Sequence, residues 1–210
     1  MNNPDNSSYH IPKLPAIYQE VIKRSRFIVD IAHTPDVTSA KLFIKEIREK
    51  YSDARHHCWA HIAGSPDDNH ALGFSDDGEP NGTAGKPMLN VLTGSGLGEI
   101  TAVVTRYFGG IKLGTGGLVR AYGGSLSHAL KELITTEKIP ATIIEGISEY
   151  SHQGIIEQIL SSYKILDIKK EFTSQVSWNV RIDTREVPLA ISEILDKTSG
   201  RVQFRNQDEL

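Results

Sequence analysis

Arg106-Tyr-Phe-Gly-Gly-Ile-Lys-Leu-Gly-Thr-Gly-Gly-Leu-Val-Arg-Ala-Tyr-Gly-Gly124 places a dense run of glycine between an apolar strand pattern, Ile100–Tyr107, and a helical pattern over residues 116–134. In the helical part Leu118, Tyr122, Ala129 and Leu133 fall on one side. Glycine carries no Cβ, so such a backbone can take positive φ and come close to another group. N–H groups freed in that turn, beside a helix N-terminus, form an anion site. Cations and a hydroxyl are spaced through the run at Arg106, Lys112, Thr115 and Arg120. Together with the backbone of Gly109, Gly110, Gly114, Gly116 and Gly117, they are the candidate phosphate-binding residues. Two familiar phosphate loops do not fit. Gly109-x4-Gly114 is followed by Thr115-Gly116 where a P-loop needs Lys-Ser/Thr, and Gly114-x-Gly116 lacks the third glycine of a dinucleotide fingerprint. The alternative for the same glycines is a tight turn with close packing and no ligand.

Upstream, Phe27-Ile-Val-Asp-Ile31 reads as a strand, preceded by the basic run Lys23-Arg-Ser-Arg26. Thr34-Pro35-Asp36 reads as a helix start with Thr34 as the N-cap. Val37, Ala40, Ile44, Ile47 and Tyr51 then recur at helical spacing. Strands are predicted at residues 58–63 and 70–74, a turn at Asp76-Asp-Gly-Glu-Pro80 and a short helix at residues 86–93.

After Pro140 the glycine-rich texture ends, and the order becomes strand, helix, strand, strand, helix, strand. The first of these helices carries Ile155, Ile156, Ile159, Leu160 and Tyr163 on one face. In the strand at residues 176–182, Val176, Trp178, Val180 and Ile182 alternate with Ser177, Asn179 and Arg181, so one face is buried and one is wet. The last helix is expected to bury Val187, Ala190, Ile191, Ile194 and Leu195, and the last strand falls at residues 201–204. Residues 142–150 show no alternation and are placed as the first strand by order alone. A βαββαβ order is the ferredoxin-like motif. The fold class is α+β in two domains. A loose arm with three prolines covers residues 1–15, an N-terminal domain residues 16–138 and a ferredoxin-like domain residues 139–210.

Three further clusters carry possible chemistry. Asp76, Asp77 and Glu79 share one turn; carboxylates so grouped suit Mg²⁺, although an Asx-type turn capping the next helix needs the same residues. Arg55-His-His-Cys-Trp-Ala-His61 puts His57, Trp59 and His61 on one strand face and His56, Cys58 and Ala60 on the other. A third metal ligand cannot be identified there, and a buried lone cysteine behaves as a small hydrophobe. The basic run at residues 23–26 gains meaning only if the fold brings it beside Arg106, Lys112 and Arg120.

The balance of 23 Lys and Arg against 26 Asp and Glu gives a net charge of −3, which excludes a histone-like basic coat but not a local basic patch. One cysteine permits no internal disulfide, and this fits a reducing cytoplasm. No apolar run approaches the roughly 18 residues of a membrane span, and no apolar segment follows the polar N-terminus. Gln207-Asp-Glu-Leu210 looks like an ER-retention ending and reads as chance without a signal peptide.

Arg55-His-His-Cys-Trp-Ala, Gly73-Phe-Ser-Asp-Asp-Gly-Glu-Pro-Asn-Gly-Thr-Ala-Gly-Lys-Pro87 and Arg106 to Tyr122 together resemble the IMPACT family in its bacterial form, over about residues 17 to 206. The resemblance implies a first domain similar to domain 2 of ribosomal protein S5 and to domain IV of elongation factor G. It implies a second domain similar to domain V of that factor. Both relatives work against RNA at the ribosome. The expectation is therefore a non-enzymatic RNA- or ribosome-binding protein that modulates translation, with no cofactor and no membrane partner. Two alternatives stay open: a Mg²⁺-dependent enzyme acting on a phosphorylated substrate through the turn at residues 76–79, and a protein-interaction module with a translation-related partner. The family supplies no catalytic residues to carry over.

Overall fold

The computed structural model describes residues 7–206. Residues 1–6 of the expected arm and the tail at residues 207–210 lie outside the described residues. The chain divides into two compact units, one covering Ser8–Lys138 and the other beginning at Ile139.

In the first unit five strands form one antiparallel sheet: β2 (Ala16–Ile22), β3 (Ser25–His33), β4 (His56–Ile62), β5 (Leu72–Ser75) and β6 (Ile100–Tyr107), in the order β2-β3-β6-β4-β5. Helix α1 (Val37–Lys50) covers one face, with Ile44 and Ile47 on Val103 and Trp59. Helices α2 (Gly85–Ser95) and α3 (Thr115–Glu132) cover the other, where Met88, Leu92, Leu118, Tyr122 and Leu126 pack on Phe27, Val29, Cys58, Ala60 and Val104. β6 lies between two strands and under helices on both sides, so it is buried from Ile100 to Arg106.

Several boundaries differ from the sequence reading for local reasons. Part of the expected arm is β1 (Tyr9–Pro12), paired with β7 (Thr135–Lys138) from the far end of the unit. The N-cap of α1 is Asp36, not Thr34. Asp36 Oδ1 accepts from the Ser39 N–H at 2.7 Å, and Ser39 Oγ accepts from the Asp36 N–H at 3.2 Å, which completes a capping box. Thr34 is instead buried against Thr101, with Oγ1 atoms 2.6 Å apart. Asn69–Ala71 form one 3₁₀ turn, so β5 begins only at Leu72. The β2–β3 turn carries Lys23 at φ 45° and Arg24 at φ 65°, a hairpin conformation that usually recruits Asn and Gly.

Glu99 ties the β1–β7 ribbon to the sheet. It is 3% exposed, and its carboxylate receives His33 Nε2 at 2.6 Å, the Tyr9 hydroxyl at 3.1 Å and Lys138 Nζ. Burial pushes its carboxyl up, but the hydrogen bonds from Lys138 and His33 prevail and hold it below the usual carboxylate range. A carboxyl lowered by folding contributes stability above its unfolded value of about 4.3 and loses it as pH falls through the folded value. Glu99→Gln is therefore expected to be less stable than the parent at neutral pH. The gap should narrow below about pH 4, as urea melts across a pH series will show.

The second unit is β8 (Ala141–Ser148), α4 (Gln153–Leu160), β9 (Ile165–Phe172), β10 (Val176–Asp183), α5 (Val187–Lys197) and β11 (Phe204–Asn206), with sheet order β11-β8-β10-β9 and every neighbour antiparallel. That is the ferredoxin-like arrangement. Ile144, Ile156, Leu160, Trp178, Val180, Ile194 and Phe204 form its core. Leu195 is 37% exposed rather than buried, and the last strand starts at Phe204 rather than at residue 201. β8 hides its alternation because Gly146 stands at a core-facing position, where a Cβ would lie 2.7 Å from the Phe204 ring, while Ile147 faces out and is 57% exposed.

Candidate phosphate-binding cleft

β6 ends at Tyr107, where the chain must turn back over the sheet to enter α3. Gly109 makes this possible by contact. A Cβ there would lie 1.9 Å from the Arg24 carbonyl oxygen, so the turn rests on the backbone of the β2–β3 hairpin. The Gly109 N–H donates to Ser25 Oγ at 3.2 Å, and Gly109 therefore serves packing, its donor spent. The hairpin contact also answers the question posed by the basic run. Arg24 underlies the glycine turn, and Arg26 stacks on the Tyr107 ring with its guanidinium carbon 4.3 Å from the centroid.

Gly110 and Gly114 take positive φ, 84° and 74°, and Gly114 is the N-cap of α3. The first helical bond runs from the Leu118 N–H to the Gly114 carbonyl at 2.9 Å. The N–H groups of Thr115, Gly116 and Gly117 precede it and are the helix's terminal donors. No side chain caps them, and no acid stands in the first turn. Gly114, Thr115 and Gly116 are exposed. Arg120 folds back over this turn, its Nη1 3.8 Å from where a Gly116 Cβ would sit. The helix dipole places partial positive charge at the same point.

This turn borders a cleft of about 700 Å³ lined by Arg55, His56, Arg106, Phe108, Lys112 and Thr115, among others. Its floor is a buried ion pair, Arg106 Nη1 to Glu79 Oε1 at 2.6 Å, with side chains 7% and 5% exposed. Tyr122 donates its hydroxyl to the same Glu79 oxygen at 2.8 Å. Arg106 Nε is buried and has no hydrogen-bond partner among the described residues. His56 stands opposite Arg106 in the β4–β6 register, and its Nδ1 lies 2.9 Å from the Asp77 carbonyl. A carbonyl only accepts, so Nδ1 carries a proton.

The three carboxylates of the acidic turn go separate ways. Asp76 accepts from the N–H groups of Gly82, Ala84 and Gly85 and so holds the start of α2. Asp77 takes Arg48 and the His57 N–H, and Glu79 takes Arg106 and Tyr122. Each carboxylate is occupied within the fold. On the α1 side of β4, His57 pairs with the Tyr51 carbonyl, and His61 pairs with the Ala71 carbonyl and stacks on Trp59. Among the described residues no group of three or more His, Cys, Asp or Glu is placed to hold a metal. Burial pushes the Cys58 thiol well above its ordinary range, and Sγ donates to the Asp76 carbonyl, so it is not poised as a nucleophile.

Ser177, Asn179 and Arg181 sit on the open face of the second unit's sheet as the alternation requires. Ser177 and Asn179 line a depression of about 960 Å³ with Lys169, Arg201 and Arg205. Trp178 is only 2% exposed and donates Nε1–H to Ser148, so it offers no stacking platform there. Sequence reasoning did not anticipate the Glu79–Arg106–Tyr122 floor, whose members come from three separate elements. It also passed over Phe108, two residues beyond Arg106 in the stretch quoted first.

The family model of the Impact N-terminal domain matches residues 23–130. An IMPACT family member from Haemophilus influenzae is 43% identical over 196 residues, covering 93% of this chain and 95% of the relative. IMPACT family member YigZ from Escherichia coli K12 is 48% identical over 197 residues, covering 94% and 97%, and YvyE from Bacillus subtilis is 36% identical over 198 residues, covering 94% and 90%. A crystal structure described as that of a hypothetical protein is 48% identical and superposes with a TM-score of 0.68 over 94% of this chain and 96% of its own. No helix of the described residues is long and apolar enough to cross a membrane.

Proposed function

Because the chain belongs to the IMPACT family, we propose that it acts in translation as a non-enzymatic protein that binds RNA or a ribonucleoprotein surface, using the cleft at the start of α3 to meet phosphate. One observation carries this reading. The exposed first turn of α3 has neither a side-chain cap nor an acid, and Lys112 and Arg120 stand beside it. Unpaired N–H donors with adjacent cations are what a phosphate oxygen requires. The donors are Thr115, Gly116 and Gly117, with the Thr115 hydroxyl; Gly110 and Gly114 shape the turn, and Gly109 seats it. The occupied carboxylates of the acidic turn favour a binding role over a Mg²⁺-dependent reaction. Phosphate contacts position a nucleic acid and carry little sequence information, so broad RNA binding is expected.

Titration of the full chain with RNA across a salt series tests the reading. Affinity should fall steeply with salt, and Lys112→Ala/Arg120→Ala should flatten the log–log slope by about 0.7 per lost contact. Absence of RNA and ribosome binding at low salt would remove the proposal. A partner retained after nuclease treatment would favour the protein-interaction alternative.

A further inference from the structure

Phe108 stands just past the end of β6, in the cleft, and is 57% exposed. A single exposed apolar side chain is ordinary on a protein surface. This one shares its cleft with apolar side chains, among them Pro80 and Leu113, and with cations. The Arg106 guanidinium carbon lies 5.6 Å from its ring centroid, and Lys112, Arg55 and the N-terminus of α3 share the cleft. Among the described residues two carboxylates line the cleft. Glu79 is paired with Arg106, and Asp53 accepts from the Tyr107 hydroxyl at 2.6 Å. An accessible ring and phosphate donors thus occur together.

Those are the requirements of an unstacked nucleotide. Bases within a duplex present their edges and cannot reach a ring with their faces, whereas single-stranded bases stack on aromatic side chains while cations track the backbone. We infer that the cleft takes one nucleotide of single-stranded RNA, with its base on the Phe108 ring and a neighbouring phosphate on the first turn of α3. The inference rests on the phosphate reading above and adds to it a preference for single strands.

Fluorescence anisotropy with a labelled single-stranded oligoribonucleotide and with its duplex tests it, using the parent chain, Phe108→Ala, Phe108→Tyr and Lys112→Ala/Arg120→Ala. Phe108→Ala should weaken single-strand binding by about ten- to a hundredfold, leave duplex binding within about twofold and leave the salt slope unchanged. Phe108→Tyr should retain parental affinity. Thermal melts verify that the exposed substitutions leave the fold intact. If Phe108→Ala binds single strands as the parent does, or loses single-strand and duplex binding equally, the stacking assignment fails. In that case the phosphate reading still stands provided Lys112→Ala/Arg120→Ala weakens binding. If neither Phe108→Ala nor Lys112→Ala/Arg120→Ala changes binding, both readings fail together, and the open sheet of the second unit becomes the surface to mutate.

Discussion

Glu79→Ala is expected to destabilise the Ser8–Lys138 unit by about 3–5 kcal/mol, because it leaves the Arg106 charge buried without its counter-ion. Both side chains of the pair are more than nine-tenths buried, and the Glu79 carboxylate also satisfies the Tyr122 hydroxyl. The loss therefore combines an unpaired charge with an orphaned hydroxyl, each costly in a site that excludes water. Glu79→Gln keeps the shape and one acceptor and should cost less. The double change Arg106→Met/Glu79→Leu removes both charges and should recover much of the loss, since apolar replacement of a buried pair is often near neutral. Urea denaturation distinguishes these outcomes through the transition midpoint at constant slope. A loss below about 1 kcal/mol in Glu79→Ala would mean that water reaches Arg106 and that the floor is open.

Gly109→Ala is expected to cost about 3 kcal/mol, at the upper end for overpacking. The new Cβ would stand 1.9 Å from the Arg24 carbonyl oxygen and 2.0 Å from its carbon. Backbone cannot rotate out of the way as a side-chain tip can, so either the β2–β3 hairpin or the glycine turn must shift. The shift would carry Phe108 and Lys112 with it, and RNA affinity should fall along with stability. Gly116→Ala is the contrasting substitution. It lies in α3 with no atom nearer than Arg120 Nη1 at 3.8 Å, and alanine should stabilise the helix by about 0.5 kcal/mol. Opposite signs at two glycines of one motif, read by thermal melts, would separate the packing role from the ligand-facing role. Equal small effects at both would overturn the contact at Arg24.

Much of the framework was legible because periodicity reports burial. Ile100–Tyr107 has the bounds the pattern predicted, and the alternation at Val176 to Ile182 identified both faces of β10. β1 was invisible because its partner lies more than a hundred residues away, and a four-residue strand has no signal of its own. Thr34 looked like a cap because Thr before Pro usually is one. The burial of Thr34 against Thr101 and the Asp36–Ser39 exchange could be seen only in three dimensions.

The glycine run divides the same way. The sequence by itself determined that a flexible, cation-bearing turn joins a buried strand to a helix, and it identified the family through that run, because glycine spacing and apolar periodicity are local properties. Only the tertiary structure decided what each glycine does. Gly109 is fixed by a hairpin some 85 positions earlier in the chain, Gly110 and Gly114 by their positive φ, and Gly116 by lying open to solvent beside Arg120. It likewise decided that Glu79 pairs with Arg106, since long-range pairing of buried charge depends on which elements the fold brings together and leaves no trace in the spacing of residues.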